Sequence, residues 1–296
     1  MELFVRVIEA GSFSAAAQDL SMGQPAVSKT IANLEDRLGV RLLTRSTRKL
    51  SPTEAGMAFY ERALRAIGEA NEAEAAAQGA GAGLEGRLRI SVPVTFSRLH
   101  LVPKLGPFLD AHPKVQLDLM MDDRIVDLVA ENIDVALRLG VLTDSALKAR
   151  KLAQAERLVV ASPAYLARRG VPRTPVDLLD HDGIVYGQSS GGEEWLFRRG
   201  TSETSVYLKA RLKFSAAEGV REAVLAGQGI AIASGWMFAP ELKSREVASV
   251  LGEWTLPPID LWVIYPSGRL TSAKARAFIK WFEKTIGEAT HPEKRG

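Results

Sequence analysis

The feature that most constrains this chain is a short apolar stripe inside the segment Ser12 to Leu50. Val27, Ile31, Leu34 and Leu38 recur at steps of four, three and four, so at about 100° per residue they share one narrow helix face. Such a helix packs on a small core. On the same wheel Pro25, Lys29 and Asn33 point away from the core and Ser28 lies on the flank, leaving a slim, polar, weakly cationic face. A DNA major groove admits a helix with that profile. Just ahead, Ser14 to Leu20 reads as a short Ala-rich helix and Ser21-Met22-Gly23 as a three-residue turn, which is helix-turn-helix spacing.

Gly39 ends the second helix, and Val40 to Leu43 and Arg48 to Leu50 read as two brief strands around Thr44-Arg45-Ser46-Thr47, a wing. From Arg41 to Lys49 there are four basic residues and no acidic one, interleaved with hydroxyls that can also donate to phosphate. Gln24 to Leu50 carries six basic residues against two acidic, a local +4 that exceeds the +3 of the whole chain. Upstream, Leu3, Phe4, Val7 and Ile8 give a first helix with no capping residue ahead of it.

Downstream, Ser51-Pro52-Thr53-Glu54 reads as a capping box with proline at the first helical position. Phe59, Ala63, Ala66, Ala70, Ala73 and Ala77 then alternate steps of four and three, the rhythm of a coiled-coil seam. This predicts a dimerisation helix, the plainer alternative being an Ala-rich helix packed on its own chain. Gly79 to Gly86 ends it as a hinge. The hinge holds a literal G-x-G-x-x-G at Gly81, Gly83 and Gly86, but a dinucleotide site needs a strand before that motif and a helix after it, and here the order is reversed.

Gly11-Ser12-Phe13-Ser14-Ala15-Ala16-Ala17, Gln24-Pro25-Ala26-Val27-Ser28-Lys29, Leu34-Glu35, Leu38-Gly39-Val40-Arg41-Leu42-Leu43 and Thr53-Glu54-Ala55-Gly56 together resemble the amino-terminal signature of LysR-type transcriptional regulators. Two departures stand out. Members of the family usually carry several residues before the first helix, so either that helix frays or the chain starts upstream of Met1; and Gly23 stands where the family often has a hydroxyl residue. The resemblance implies sequence-specific binding of double-stranded operator DNA. Gln24, Pro25, Ser28 and Lys29 are the candidates for base-edge and groove contacts, Asn33 for the nearby backbone, and Arg45, Thr47, Arg48 and Lys49 for phosphate or the neighbouring minor groove, with Ser14 a further DNA-binding candidate. It also implies a homodimer or a tetramer built as a dimer of dimers, with RNA polymerase as a candidate partner.

From Arg87 the rhythm changes to alternating strands and helices. Strands are expected at Leu88–Val92, Val115–Met121 and Val135–Leu139, with helices at Ser97–Ala111 and Ile125–Ala130. A second half follows: a crossing strand Leu158–Ala161, a helix Ala164–Arg168, strands Ile184–Tyr186 and Val206–Phe214, a helix Ala217–Ala226 and a strand Ile230–Ala233. Leu261–Tyr265 crosses back and Ala273–Ile286 closes the domain. The expected architecture is an all-α winged helix-turn-helix over 1–52, a linker helix and hinge over 53–86, and over 87–296 a two-lobed α/β domain. By resemblance that domain has the fold of periplasmic solute-binding proteins, with lobe I at 87–160 and 266–296 and lobe II at 161–265. Open α/β sheets bind ligands beyond their strands' carboxyl ends, at helix amino termini that favour anions. Thr95, Phe96, Ser97, Thr143, Ser145 and Ser215 fall at such ends and are the candidate contacts to a small effector of anionic character. Arg98 and Arg138 would add charge there, unless they form surface salt bridges.

Other functions are narrowed by what is absent. There is no cysteine, which removes disulfides and thiolate chemistry and points to a cytoplasmic home. No stretch reads as a signal peptide or a bilayer span. His100, His112, His181 and His291 are scattered without metal-ligand spacing, and no cofactor is expected. Glu35-Asp36 and Asp122-Asp123 are adjacent acids that diverge to different faces and read as solvated surface. Gly187-Gln188-Ser189-Ser190-Gly191 matches a nucleophile elbow, making a hydrolase using Ser189 one alternative, but the only later histidine is His291 in a polar tail. The other alternative is a cytoplasmic small-molecule-binding protein; an architectural DNA-binding protein without sequence preference would have no use for so large an α/β domain.

Overall fold

The computed structural model describes residues 1–45, 50–78, 84–142, 148–187, 193–266 and 272–290. The chain divides into two compact units, Met1–Gly86 and Arg87–Gly296.

In the first unit α1 (Glu2–Ala10), α2 (Phe13–Asp19) and α3 (Gln24–Leu38) enclose a core of Phe4, Val7, Ala16, Ala17, Val27, Ile31 and Leu34, joined by Leu42 and Leu43. Ser12 caps α2, its hydroxyl accepting from the Ala15 N–H at 3.1 Å. The apolar stripe of α3 stops at Leu34, because the next inward position is taken by Glu35 and Leu38 is left 42% exposed. Gly39 then closes the helix in the left-handed region at φ 67, which glycine enters without steric cost.

The wing strands are β1 (Leu43–Arg45) and β2 (Leu50–Pro52), antiparallel with Leu43 opposite Pro52, two residues later than the alternation predicts. This shift moves the helix start as well. Ser51 and Pro52 are spent in β2, so Thr53 caps α4 (Glu54–Gln78), accepting from the Gly56 N–H at 2.9 Å and donating to the Arg41 carbonyl at 2.8 Å. At Gly56 a Cβ would lie 2.0 Å from the Leu42 carbonyl oxygen, so α4 crosses the wing entry at a distance only glycine permits. Of the heptad positions in α4, Phe59 packs edge-on to Phe4 at 5.3 Å and Ala63 is buried, whereas Ala66 and Ala70 are exposed.

The second unit holds two five-stranded sheets. In the first sheet the order is β4 (Lys114–Met121), β3 (Glu85–Val92), β5 (Val135–Leu139), β14 (Ile259–Tyr265), β6 (Lys148–Ala155), with β3 and β5 parallel and β14 antiparallel to both its neighbours. Between β3 and β4 the predicted single helix is a broken run: α5 (Val94–Phe96), a π turn (Ser97–Leu101), a 3-10 turn (Val102–Lys104) and α6 (Gly106–Ala111). Pro103 and Pro107 each remove a backbone donor there, which a regular helix does not survive. The helix predicted at Ile125–Ala130 is a single turn, with Asp127 accepting from the Val129 and Ala130 N–H groups and Asn132 stopping it at φ 58. On this lobe α10 (Ala273–Thr290) packs Phe278 edge-on to Phe108 at 5.6 Å.

In the second sheet the order is β11 (Ala210–Phe214), β8 (Gly183–Tyr186), β12 (Ile230–Ser234), β7 (Arg157–Ala161), β13 (Ala248–Val250), with β11, β8 and β12 parallel. It carries α7 (Pro163–Arg169), α8 (Ala217–Leu225), α9 (Ala239–Ser244) and a hairpin of β9 (Glu193–Arg199) with β10 (Ser202–Leu208). The single strand predicted at Val206–Phe214 is therefore two. Val206 and Leu208 bury into the cluster around Phe197, on which Ala210 also packs, while Leu212 and Phe214 pack on the separate cluster around Phe238, so the chain changes cluster between Ala210 and Leu212. Strand β7 belongs to the second sheet and β14 to the first, so the chain crosses between 155 and 157 and returns between 250 and 259. The expected lobe boundaries at 160/161 and 265/266 placed both strands in the wrong lobe, since apolar alternation does not reveal which sheet a crossing strand joins.

Candidate functional site

The first unit presents the outer face of α3. Gln24, Pro25, Lys29 and Asn33 are exposed, Ser28 is half-buried, and Ser14 is exposed on α2. They stand out because Val27 (0%), Ile31 (1%) and Leu34 (8%) anchor the opposite face. Thr30, absent from the sequence-based set, is exposed on the same helix, and its hydroxyl donates to the Ala26 carbonyl at 2.9 Å. Gly23 occupies the N-cap with no side-chain bond, which leaves Pro25 near the start where its missing N–H costs nothing. Arg45 lies in β1; Thr47, Arg48 and Lys49 lie outside the described residues.

What holds the wing against α3 is a residue that sequence reasoning assigned to solvent. Glu35 is 3% exposed, and its Oε1 accepts from the N–H groups of Leu42 at 2.7 Å and Leu43 at 3.0 Å. Arg41 Nη1 stands 3.5 Å from Oε2, with its own side chain 77% exposed. A buried carboxylate thus fixes the first residues of the wing to the last turn of the exposed helix. Its signal lay in the stripe itself, since Glu35 follows Leu34 on the inward side.

The second unit forms a cleft where the carboxyl ends of both sheets meet. A cavity of about 30 Å³ is lined there by Thr95, Phe96, Asp123, Ala217, Ser234 and Trp236 among others. Thr95 and Phe96 thus line this cavity. Ser97 is fully buried, its hydroxyl has no hydrogen-bond partner, and it does not line the cavity; Ser215 is exposed and does not line it either. Thr143 and Ser145 lie outside the described residues, as do Ser189, His291 and the glycines at 81 and 83.

Polar contacts tie the two lobes across this cleft. Asp123, read from sequence as solvated surface, accepts from the Val94 N–H at 3.0 Å and the Ala217 N–H at 2.9 Å. Glu218 accepts from the Thr95 hydroxyl and from Arg98, both at 2.7 Å, so Arg98 is an ion-pair partner rather than a free charge. His100 Nε2 donates to the Trp236 carbonyl at 2.7 Å, and burial pushes its imidazole below 6.5. Arg138 donates to the Ser91 hydroxyl and the Leu137 carbonyl, both at 2.9 Å, and desolvation lowers its pKa. Burial pushes the Tyr186 phenol up, helped by the nearby Asp123. Among the described residues no group of three histidines or acids is gathered for a metal, and no helix is long and apolar enough to cross a membrane.

Comparison with known proteins agrees with this two-part layout. Residues 1–57 match the bacterial regulatory helix-turn-helix proteins of the lysR family, and residues 81–286 match the LysR substrate binding domain. An HTH-type transcriptional regulator of Xanthomonas campestris pv. campestris is 36% identical over 281 residues, covering 94% of this chain and 82% of that protein. Among solved structures, CrgA, a LysR-type transcriptional regulator of Neisseria meningitidis, superposes with a TM-score of 0.64 at 30% identity over 97% of each chain. The Vibrio cholerae virulence activator AphB superposes with a TM-score of 0.58 at 30% identity, again over 97% of each.

Proposed function

The chain belongs to the LysR family of bacterial DNA-binding transcriptional regulators, with a helix-turn-helix domain and an effector-binding domain, and from that premise we propose how its residues divide the work. Helix α3 lies in the major groove of operator DNA, with Gln24, Pro25, Ser28 and Lys29 at base edges. Asn33 meets the flanking backbone, Ser14 adds a further DNA contact, and Arg45, Thr47, Arg48 and Lys49 hold phosphates or the adjacent minor groove. The exposed face of α3, held outward by the buried Val27-Ile31-Leu34 stripe, is the observation that carries this reading.

The 53–86 segment joins two copies into a homodimer, or a tetramer of two such pairs, and the exposed Ala66 and Ala70 on α4 supply small residues for close helix approach. A small effector binds between the lobes of the 87–296 domain, with Thr95 and Phe96 in its site. The protein acts in the cytoplasm on its operator, without catalysis of its own. Fluorescence anisotropy against DNA upstream of its own gene and a scrambled duplex, at one salt concentration, tests the first half. Phosphate contacts dominate raw affinity, so the salt must be fixed. A preference of about a hundredfold or more is expected of a specific reader; equal affinity for both duplexes would refute base reading at that site.

A further inference from the structure

The two lobes are joined by two crossings of the chain, and the crossings differ in length. Strand pairing closes in on them from both sides, with Ala155 opposite Ile259 in the first sheet and Val159 opposite Val250 in the second. Between those pairs the outgoing chain uses only 156–158, whereas the returning chain takes 251–258 and lies outside both β13 and β14. It ends in Pro257 and Pro258, which have no N–H to give to a ladder, so their backbone can be held only through its carbonyls. The β9–β10 hairpin supplies the holding. Arg198 and Thr255 exchange both backbone hydrogen bonds, at 2.9 and 2.8 Å. Arg199 lies over the Trp254 ring, 4.7 Å from its centre, and pairs with Glu253 at 3.0 Å. Arg157, the first residue of β7, donates from Nη1 to the carbonyls of Pro257 at 3.0 Å and Pro258 at 3.4 Å, while its guanidinium lies over Trp195 of the hairpin, 4.8 Å from the ring centre.

We propose that the β9–β10 hairpin is a strap across the hinge and that Arg157 is the positioning residue that buckles it, tying the outgoing crossing, the returning crossing and the hairpin into one unit. The lobes then turn about two coupled crossings instead of one short strand and one loose one. A guanidinium suits this place because it donates from its edge and stacks by its face at the same time, which an ammonium group cannot do. On the side of the first sheet the hinge is already stiff, since Lys151 Nζ and Gln154 Nε2 both meet Asp260 Oδ1 at 2.7 Å within the β6–β14 ladder. Flexure is therefore concentrated in 251–258, the segment that the strap grips. The use of this device in regulation rests on effector binding between the lobes as read above, where the strap sets how far they turn.

Hydrogen exchange of the full-length protein, without DNA or effector, reads the hinge away from Arg157 itself. The Ala217 N–H of one lobe is bonded to Asp123 of the other, whereas the Val94 N–H is bonded to the same carboxylate within a single lobe. Parting of the lobes therefore exposes Ala217 and leaves Val94 covered. In Arg157→Ala the peptide containing Ala217 should exchange about threefold faster or more, with the peptide containing Val94 unchanged. Arg157→Lys, which keeps the charge without the planar face, should not restore the slower rate. An unchanged Ala217 rate in Arg157→Ala, an equal rise at Val94, or full restoration by lysine overturns the proposal. If the alanine variant does not fold, Arg199→Ala loosens the strap at Glu253 and Trp254 and should give the same split between the two peptides; a flat Ala217 rate there overturns the strap equally. Because no DNA is present, loss of operator preference would refute the regulatory reading while leaving this exchange pattern intact.

Discussion

Replacing Glu35 by alanine should loosen the wing from the recognition helix at a cost large enough to measure. Leu42 and Leu43 are 1% and 3% exposed, so water does not reach their N–H groups once the Glu35 oxygen is gone. A buried donor left without a partner costs roughly 1–3 kcal/mol, and two of them, with some relaxation of the loop, about 2–5 kcal/mol. Against a total domain stability of about 5–15 kcal/mol this is a large fraction. Glu35→Gln provides the control. A glutamine carbonyl still offers two lone pairs to the same two N–H groups, so the loss is confined to charge assistance and the 3.5 Å contact of Oε2 with Arg41, at about 1 kcal/mol. Urea denaturation followed on the amino-terminal unit within the full chain reads both variants. Operator anisotropy should weaken in the same order, because the wing residues beyond Leu43 are positioned through this contact. A Glu35→Ala midpoint within error of the unsubstituted protein, or a glutamine variant less stable than the alanine one, would refute the reasoning.

Other substitutions probe separate parts of the same structure. Gly56→Ala places a methyl 2.0 Å from the Leu42 carbonyl oxygen, so it should destabilise by about 1–3 kcal/mol despite alanine's better helix propensity, read as a lowered urea midpoint. Lys29→Ala should cost about 1–3 kcal/mol of operator binding while changing affinity for scrambled DNA far less, read by paired anisotropy titrations. Stability should also depend on pH in a defined window. His100 and His181 are both held below 6.5, mainly by desolvation, so the folded protein binds fewer protons than the unfolded chain. Their contribution is complete above pH 6.5 and is lost as pH falls through the depressed folded values. Asp177, Asp182 and Asp260, lowered from 3.8 chiefly by hydrogen bonds, lose theirs only at more acid pH. A melting temperature that stays flat from pH 7.5 to 5, or that falls as steeply in a His100→Gln, His181→Gln double variant, would contradict this assignment.

The parts of the chain that sequence reading placed well are those where one helix carries its own pattern. The stripe through Val27, Ile31 and Leu34 announces both the buried face and, by subtraction, the exposed one, and the Gly39 stop needs no distant partner. Where position depends on a remote segment, the sequence is weaker. Nothing local distinguishes Ser51 from Thr53 as the cap of α4; the choice is made by β2 pairing with β1, which spends Ser51 and Pro52 in a strand. In the same way the change of cluster between Ala210 and Leu212 and the sheet joined by β7 or β14 are settled by which cluster each strand buries, and alternation reads the same in either.

Both acids misread as solvated surface fail for one shared physical reason. Glu35 and Asp123 each stand beside a second acid, and adjacency suggested a polar surface pair; yet in each case one member faces solvent or arginine while the other turns to backbone N–H groups beyond its own element, on Leu42 and Leu43 for Glu35 and on Val94 and Ala217 for Asp123. Asp122 answers Arg124, whereas Asp123 spans from Val94 to Ala217. A carboxylate that collects main-chain donors needs no basic partner nearby in sequence, so charge patterning cannot reveal it. In the first unit such a carboxylate anchors a wing that is proposed to touch DNA, and in the second it bridges the two lobes. The two fixtures differ in their surroundings: the Glu35 donors, on Leu42 and Leu43, are sealed in the core, whereas Asp123 lines the cavity between the lobes.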